Sequence, residues 1–466
     1  MDAVATAAAI RRGEVSGRDV VEDAIARIEK HNPTLNAVIA DRFDEALADV
    51  DRGLPEGSLR GVPILIKDLG MQVSGLPATR GSRLWADCVA KVDSELVTRY
   101  QRAGMIVLGT TNSPELGMSN TTEPLLHGPT RNPWRTTHSP GGSSGGSAVA
   151  VSAGLVPVAH GSDGGGSLRI PASMCGLFGL KPTRGRVTTA PDPVGLAAPL
   201  SVHHALTRTV RDSAALLDLA AVPVPGDALA APSQARSFSE QMAAEPGRLR
   251  IGLATRRADG AATAPQVAAA TRAAAELCEQ MGHQVEEVEL DYDPAQAMRA
   301  LSVLMGVNLL SSVDRRLAEL GRELQEGDLE PFTMAMLAHN RSLTGPDVYN
   351  AMRDAQSTGW RLGRMFTTYD LLLTPTLALP APQLGVIDTT RPAVMYTVAG
   401  DYAAFTSFVN VTGQPAMSIP FGLDSDGLPI GVQFIADAGR EGLLLALAAR
   451  IEEAAPWPLI APGFAD

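Results

Sequence analysis

Residues 162–171 read SDGGGSLRIP and residues 139–147 read SPGGSSGGS, and these two glycine- and serine-rich stretches decide how the chain is interpreted. Consecutive glycines can adopt positive φ and can turn several backbone N–H groups toward one point, as a developing oxyanion requires. Ser143 and Ser167 directly follow such glycines and are therefore candidate nucleophiles. An isolated stretch of this kind is usually a flexible turn. The small residues after Gly146 have a helical pattern, however, so we predict that the first stretch begins a helix.

A serine nucleophile needs a base, and histidine is the usual one. His160 and Asp163 are close to Ser167 in the chain, at offsets that would share one face of a helix. Residues 164–166 are glycines, which disfavour a helix there. We therefore expect no local Ser-His-Asp triad.

Lysine offers a second candidate base, because the few lysines include one at the end of an apolar run. Residues 61–68 read GVPILIKD, which places Lys67 directly after a predicted buried strand. Burial there would lower the pKa of the ammonium group until the neutral amine can accept a proton. The alternative is that Lys67 ends a strand and extends to solvent.

Composition and charge exclude several classes of protein. The chain has 466 residues, of which 45% are hydrophobic and 19% charged, as in a compact globular protein. Its net charge is −12 and no run of lysine or arginine occurs, so we expect neither nucleic acid nor an anionic membrane as a partner. Cys88, Cys175 and Cys278 are too few and too scattered for a disulfide framework or a zinc cluster. With no export signal and no apolar run of membrane-spanning length, these features predict a cytoplasmic protein.

Hydrophobic periodicity predicts an α/β fold. Apolar residues recur at helical spacing from Ser16 to Lys30, with Ser16 as the N-cap, and helical patterns also cover residues 265–281 and 442–454. Asp426-Gly427 is a hairpin signal. Short apolar runs predict buried strands at Val62–Ile66, Met105–Leu108, Leu155–Val158, Ile251–Leu253, Leu371–Leu373 and Val432–Ile435. We expect a sheet covered on both faces by helices, and a helical insertion over residues 296–365 that shapes a substrate pocket.

Taken together, the motifs resemble the amidase-signature family. The resemblance is carried by GVPILIKD at residues 61–68, by the two glycine-rich stretches, by CGLFGLKPT at 175–183, by LTPT at 373–376 and by GQPA at 413–416. It implies one domain over residues 1–466, with a large mixed central β-sheet covered on both faces by α-helices. The expected core comprises residues 55–190 and 366–455, and residues from about 190 to 365 form the variable, substrate-shaping region.

The resemblance also implies the catalytic roles. Lys67 would be the base, Ser143 a proton relay held by a cis peptide bond, and Ser167 the nucleophile that becomes acylated. The oxyanion hole would be formed by the backbone N–H groups of Gly164, Gly165, Gly166 and Ser167. Asp163, Arg169 and Ser144 would support the loop structurally, and no metal or organic cofactor is implied.

Two departures from the common family pattern narrow the expected substrate. Gly164 replaces a threonine, and Ile170 replaces the glutamine of tRNA-linked amidotransferase subunits. The SDGGGS form is similar to that of nylon-oligomer (6-aminohexanoate cyclic dimer) hydrolases and of related bacterial amidases and urethanases. We therefore expect a small neutral amide, carbamate or cyclic amide oligomer, although the catalytic residues alone do not separate amide, carbamate and ester.

The sequence leaves two other interpretations of the function open. GGSSG at residues 141–145 also fits the Gly-x-Ser-x-Gly pattern of an α/β-hydrolase esterase that uses Ser143, although the preceding residues 130–140 indicate a loop where that fold requires a strand. We expect the enzyme to act as a monomer or homodimer. The alternative is an amidotransferase-like subunit that is active only with a partner. Apolar pocket residues are expected at Met118, Met174, Met395 and Tyr396, each of which is individually more often core.

Overall fold

A single mixed β-sheet organises the computed structural model, which describes residues 1–192 and 200–464. Among these residues the sheet has eleven strands, in the spatial order β1-β3-β2-β4-β6-β5-β10-β11-β9-β7-β8. The strands are β1 (Val38–Asp41), β2 (Pro63–Lys67), β3 (Ile106–Thr111), β4 (Val158–Asp163), β5 (Phe178–Lys181), β6 (Val202–Thr207), β7 (Arg250–Leu253), β8 (Gln284–Glu287), β9 (Leu371–Pro375), β10 (Ala416–Leu423) and β11 (Pro429–Ala436).

Strand direction is mixed. Strand β2 runs parallel to β3 and β4, and β7 runs parallel to β8 and β9. The other pairs are antiparallel, including β10 with β11, whose connection contains the predicted Asp426-Gly427 turn. The prediction of a large mixed sheet is confirmed.

Helices cover both faces of the sheet. In the described chain they are α1 (Ala3–Arg11), α2 (Gly17–Leu35), α3 (Phe43–Arg52), α4 (Glu95–Arg102), α5 (Gly145–Ser152), α6 (Arg169–Cys175), α7 (Val210–Ala220), α8 (Phe238–Met242), α9 (Pro265–Gln280), α10 (Pro294–Leu320), α11 (Pro331–Asn340), α12 (Gly345–Met365), α13 (Pro392–Tyr402), α14 (Ser407–Thr412) and α15 (Glu441–Ala454). Alternate residues of β2 enter different apolar clusters, Ile64 and Ile66 one and Leu65 another, as expected for a strand buried on both sides.

Most predicted elements are present, and one strand is displaced. Ser16 caps α2 through a capping box with Asp19, as its sequence indicates. The predicted strand at Leu155–Val158 is wrong, because β4 begins only at Val158. Helix α5 ends at Ser152, Gly154 adopts a φ of 67°, and the N–H of Leu155 donates to the carbonyl of Ala150. The apolar residues at 155 and 156 therefore belong to the turn that ends a helix.

Three helices, α10, α11 and α12, occupy the region of the predicted insertion. Helix α10 packs against α11, α12 and α14, and its residues Leu301, Leu304 and Met305 line a cavity beside β4. The first part of the predicted variable region includes residues 193–199, which lie outside the described residues. No helix of the described chain is long and apolar enough to cross a membrane.

Candidate active site

Lys67 lies at the end of β2 with its side chain completely buried. Its Nζ donates to the Oγ of Ser143 at 2.7 Å and to the Oγ of Ser162 at 3.0 Å. Burial lowers the pKa of Lys67 to about 7, although the negative charge of Asp163 acts in the opposite direction. A substantial fraction of the amine is therefore neutral near pH 7 and can accept a proton.

Ser143 is buried in the loop that leads into α5. The Gly142–Ser143 peptide bond is cis, the geometry that the family resemblance implies. Gly142 approaches the backbone so closely that a Cβ there would lie 2.5 Å from the carbonyl oxygen of Thr121. The residues from Asn112 to Gly142 contain no strand, so Ser143 lacks the preceding strand that an α/β-hydrolase elbow requires.

Ser167 lies in the turn between β4 and α6, and it lines a cavity of about 230 Å³ together with Ser143. The Ser167 hydroxyl has no hydrogen-bond partner among the described residues, so it remains available to a substrate. The walls of this cavity, named here the reaction cavity, include the apolar residues Leu69, Leu116, Met118, Leu301, Leu304 and Leu309. The structure therefore places Ser143 and Ser167 at one cavity, and the buried Lys67 reaches that cavity through its hydrogen bond to Ser143.

The backbone N–H groups beside Ser167 differ in their availability. The N–H of Gly166 donates to Oδ1 of Asp163 at 2.8 Å, so it is already used within the loop. The N–H groups of Gly164, Gly165 and Ser167 have no partner among the described residues, and all three residues line the reaction cavity. Of the four N–H groups predicted for an oxyanion hole, these three remain available to a ligand, and that of Gly166 does not. Gly166 instead permits close packing, because a Cβ there would lie 2.4 Å from the Thr406 hydroxyl.

A buried ion pair supports this loop from behind. Arg169 donates to Asp163 from Nε at 3.0 Å and from Nη2 at 2.9 Å, and both side chains are completely buried. Arg169 also donates to Gln433 on β11 and to Asn410 on α14. Burial alone would raise the pKa of Asp163, but the charge of Arg169 outweighs it and holds that pKa below its ordinary value. Each charge is thus compensated, and the network ties the Ser167 loop to two distant elements.

We expect Arg169→Met to lower the free energy of unfolding by about 3–5 kcal/mol, because it leaves the buried Asp163 carboxylate without its counter-ion. Denaturant unfolding measures the change. Arg18→Met, which removes the exposed ion pairs with Glu22 and Asp51, is the matched control and should change stability by less than about 1 kcal/mol. Adding Asp163→Asn to Arg169→Met should recover part of the loss. A loss below about 1 kcal/mol for Arg169→Met would show that the pair does not support the loop.

Ser144 and Ser162 complete the arrangement. The Ser144 hydroxyl donates to the carbonyl of Ser162 at 3.1 Å and joins the two glycine-rich stretches, in keeping with its predicted supporting position. Sequence reasoning missed Ser162 as the second acceptor for Lys67. The only signal was its position next to Asp163, because the pairing that places it near Lys67 is the parallel contact of β2 with β4.

The four predicted pocket residues are not all near the cavity. Met118 lines the reaction cavity. Met174 and Met395 are instead buried in an apolar cluster with Phe332, and Tyr396 is 60% exposed with its ring packed on Phe332. The described lining of the reaction cavity does not include these last three residues.

The buried histidines do not contact the candidate nucleophile. His160 Nε2 lies 3.2 Å from His203 Nδ1, and the two rings stack. Burial and the charge of Lys67 lower the pKa of His203 to about 3. In keeping with the expectation of no local triad, His160 makes no hydrogen bond with Ser167.

Comparisons with known proteins show the family to which this fold belongs. Residues 19–445 match the amidase family. The chain is 39% identical to the 6-aminohexanoate-cyclic-dimer hydrolase of Paenarthrobacter ureafaciens, over 98% of this chain and 95% of the relative. A solved structure of 6-aminohexanoate cyclic dimer hydrolase complexed with substrate superposes with a TM-score of 0.95 at 37% identity, covering 100% of this chain and 99% of the other. A bacterial aryl acylamidase superposes with a TM-score of 0.88 at 29% identity, covering 98% and 96%.

Proposed function

The chain belongs to the amidase family and is an amidase-signature hydrolase, and from that premise we propose that it hydrolyses small amides through an acyl-enzyme on Ser167. The observation that carries the proposal is the buried Lys67 amine, held 2.7 Å from Ser143 Oγ at the cavity that Ser167 lines. A lysine with a pKa of about 7 is a base matched to neutral pH.

In the proposed acylation step, Lys67 accepts the proton of Ser143 while Ser143 accepts that of Ser167. The Oγ of Ser167 attacks the amide carbonyl carbon, and the resulting oxyanion is bound by the free N–H groups of Gly164, Gly165 and Ser167. The C–N bond then breaks, and the proton returns from Lys67 through Ser143 to the departing amine. Water attacks the acyl-enzyme by the same route and releases the carboxylic acid.

The side chains that line the reaction cavity indicate the chemical character of the substrate segment next to the reacting bond. Met118, Leu301, Leu304 and Leu309 present apolar surface beside the two serines, which favours an uncharged acyl or aryl segment. Amides, carbamates and cyclic amide oligomers share the same tetrahedral addition, so all three remain within the proposed range. The likeness to 6-aminohexanoate-cyclic-dimer hydrolase supports testing the cyclic dimer first.

The experiment is hydrolysis of a panel combined with identification of the acylated serine. The panel contains a p-nitroanilide, an aryl carbamate, a p-nitrophenyl ester and the 6-aminohexanoate cyclic dimer. We expect turnover of at least one C–N substrate by the purified chain alone. Acid quenching during turnover of the ester should trap the acyl group on Ser167, and cleavage before Asp163 separates Ser167 from Ser143 for mass spectrometry.

Each adverse result has a definite meaning. An adduct on Ser143 would assign the nucleophile to the esterase alternative and contradict the proposal. Turnover that requires added protein would indicate an amidotransferase-like subunit.

We further propose that the enzyme acts in the cytoplasm as a monomer or homodimer. The three cysteines are free, as expected in a reducing compartment. Fractionation of the native host and light scattering of the purified chain test the two statements.

A further inference from the structure

One charged side chain faces the reaction cavity. Among the described residues that line this cavity, Arg80 alone carries a charge. Its guanidinium has no ion pair and no hydrogen bond within the described chain, and its contact is with the ring of Trp85, whose centroid lies 5.4 Å away. An unpaired guanidinium that lines the same cavity as Ser143 and Ser167 can bind an anion without first breaking another interaction.

The backbone at Arg80 is fixed in an unusual conformation. Its φ is 54°, in the left-handed region that residues other than glycine seldom adopt. The carbonyl of Arg80 accepts a hydrogen bond from the N–H of Leu116 at 2.8 Å. The carboxylate of Asp68 accepts the Thr79 hydroxyl, and the Thr79 hydroxyl in turn accepts the N–H of Gly81 at 3.3 Å. Asp68, which directly follows Lys67, therefore holds the loop from which Arg80 extends. Locally constrained backbone conformations of this kind cluster at functional sites.

A second cavity shares Arg80 with the first. It has a volume of about 450 Å³, and Leu69, Leu116 and Asn308 also line both. A substrate can therefore react at Ser167 and extend past Arg80 into this adjoining cavity.

The other charges of the adjoining cavity leave Arg80 available. Arg316 pairs with Asp87 and Glu319. Asp192 accepts hydrogen bonds from Gln72 and does not line the reaction cavity. Arg315 is exposed, has no ion pair with any described residue, and adds a second positive charge to the adjoining cavity.

We propose that Arg80 binds a carboxylate of the substrate, so that the preferred substrates are amides with an apolar segment at the reacting bond and an anionic group farther along. This inference rests on the proposed amide hydrolysis. It revises the neutral substrate expected from the sequence to one that carries an anionic group, because the apolar wall then accommodates only the segment next to the scissile bond. Planar guanidinium groups bind carboxylates through two parallel hydrogen bonds, a geometry that an ammonium group does not reproduce.

The test compares pairs of substrates that differ only in charge. One pair is the mono-p-nitroanilide of adipic acid and its terminal carboxamide, which places the charge on the acyl side. The other is the hexanoyl amide of 4-aminobenzoic acid and that of 4-aminobenzamide, which places it on the amine side. We expect the wild type to prefer the carboxylate in at least one pair by about 10- to 100-fold in kcat/KM, mainly through KM.

Arg80→Gln should abolish this preference and leave the carboxamide within about 3-fold of wild type, since glutamine keeps the Cβ and hence the same backbone requirement. Arg80→Lys should give an intermediate preference because it keeps the charge without the planar fork. Arg102→Gln, which changes an exposed arginine on α4, is the matched control and should keep the wild-type preference.

If Arg80→Gln lowers kcat/KM equally for both members of a pair, Arg80 has a merely structural role and the inference is overturned. A wild type that prefers neither carboxylate would also overturn the inference. Binding of adipic acid monoamide and of the hexanoyl amide of 4-aminobenzoic acid to the Ser167→Ala enzyme, measured by calorimetry with and without Arg80→Gln, needs no turnover. If the wild type hydrolyses no substrate but binding still depends on Arg80, the proposed function fails and the anion site stands. Binding of both ligands that Arg80→Gln leaves unchanged would overturn the anion site.

Discussion

Ser167→Ala should lower kcat for amide hydrolysis by at least about 10⁴-fold, because no other group can form the acyl-enzyme at that position. The substitution removes one hydroxyl that has no partner in the described structure, so the thermal unfolding midpoint should stay within a few degrees of wild type. Steady-state kinetics on the best panel substrate, together with a melting curve, measures both effects.

Two other serines serve as comparisons for this prediction. Ser143→Ala keeps the nucleophile and removes the relay, so its loss of kcat should be large but smaller than that of Ser167→Ala. Ser58→Ala changes an exposed serine away from the cavity and should retain full activity. Retention of more than about a tenth of wild-type kcat by Ser167→Ala would remove Ser167 from the mechanism.

Lys67→Met should lower kcat by about 10³- to 10⁴-fold, because it deletes the proposed base while keeping the volume of the side chain. The fold should tolerate the change, since methionine avoids the desolvation of a buried amine. Lys30→Met, on the exposed surface of α2, is the control for loss of a lysine and should behave as wild type.

The pH profile identifies Lys67 more specifically. Burial lowers the pKa of this lysine to about 7, and the neutral form is the active base. Wild-type kcat/KM should therefore rise as pH increases toward 7 and level off above it. Burial also raises the pKa of Glu115 to about 7, so a rise near pH 7 alone does not identify the group. If Lys67→Met keeps a transition near pH 7 in its residual activity, another residue sets the profile and the assignment to Lys67 is wrong.

Local patterns predicted the elements of the fold well because their causes are local. The Ser16 cap, the helical repeat that follows it and the apolar run before Lys67 each depend on neighbouring residues. The start of β4 is the exception, because it depends on more than the local pattern. Leu155 and Val156 are as apolar as strand residues, and only the turn after Gly154 and the packing of α5 assign them elsewhere.

The sequence by itself determined the family, the mixed α/β architecture and the three residues proposed for catalysis, because short motifs of fixed order carry that information. Tertiary structure alone decided that Ser162 is the second acceptor for Lys67, that Asp163 engages the N–H of Gly166, and that Arg80 faces the reaction cavity. It also decided that Met118, which packs against the apolar cluster of Met174 and Met395, lines the reaction cavity while those two are buried. The physical reason is that these contacts depend on strand register and side-chain direction between segments far apart in the chain, which no local pattern specifies.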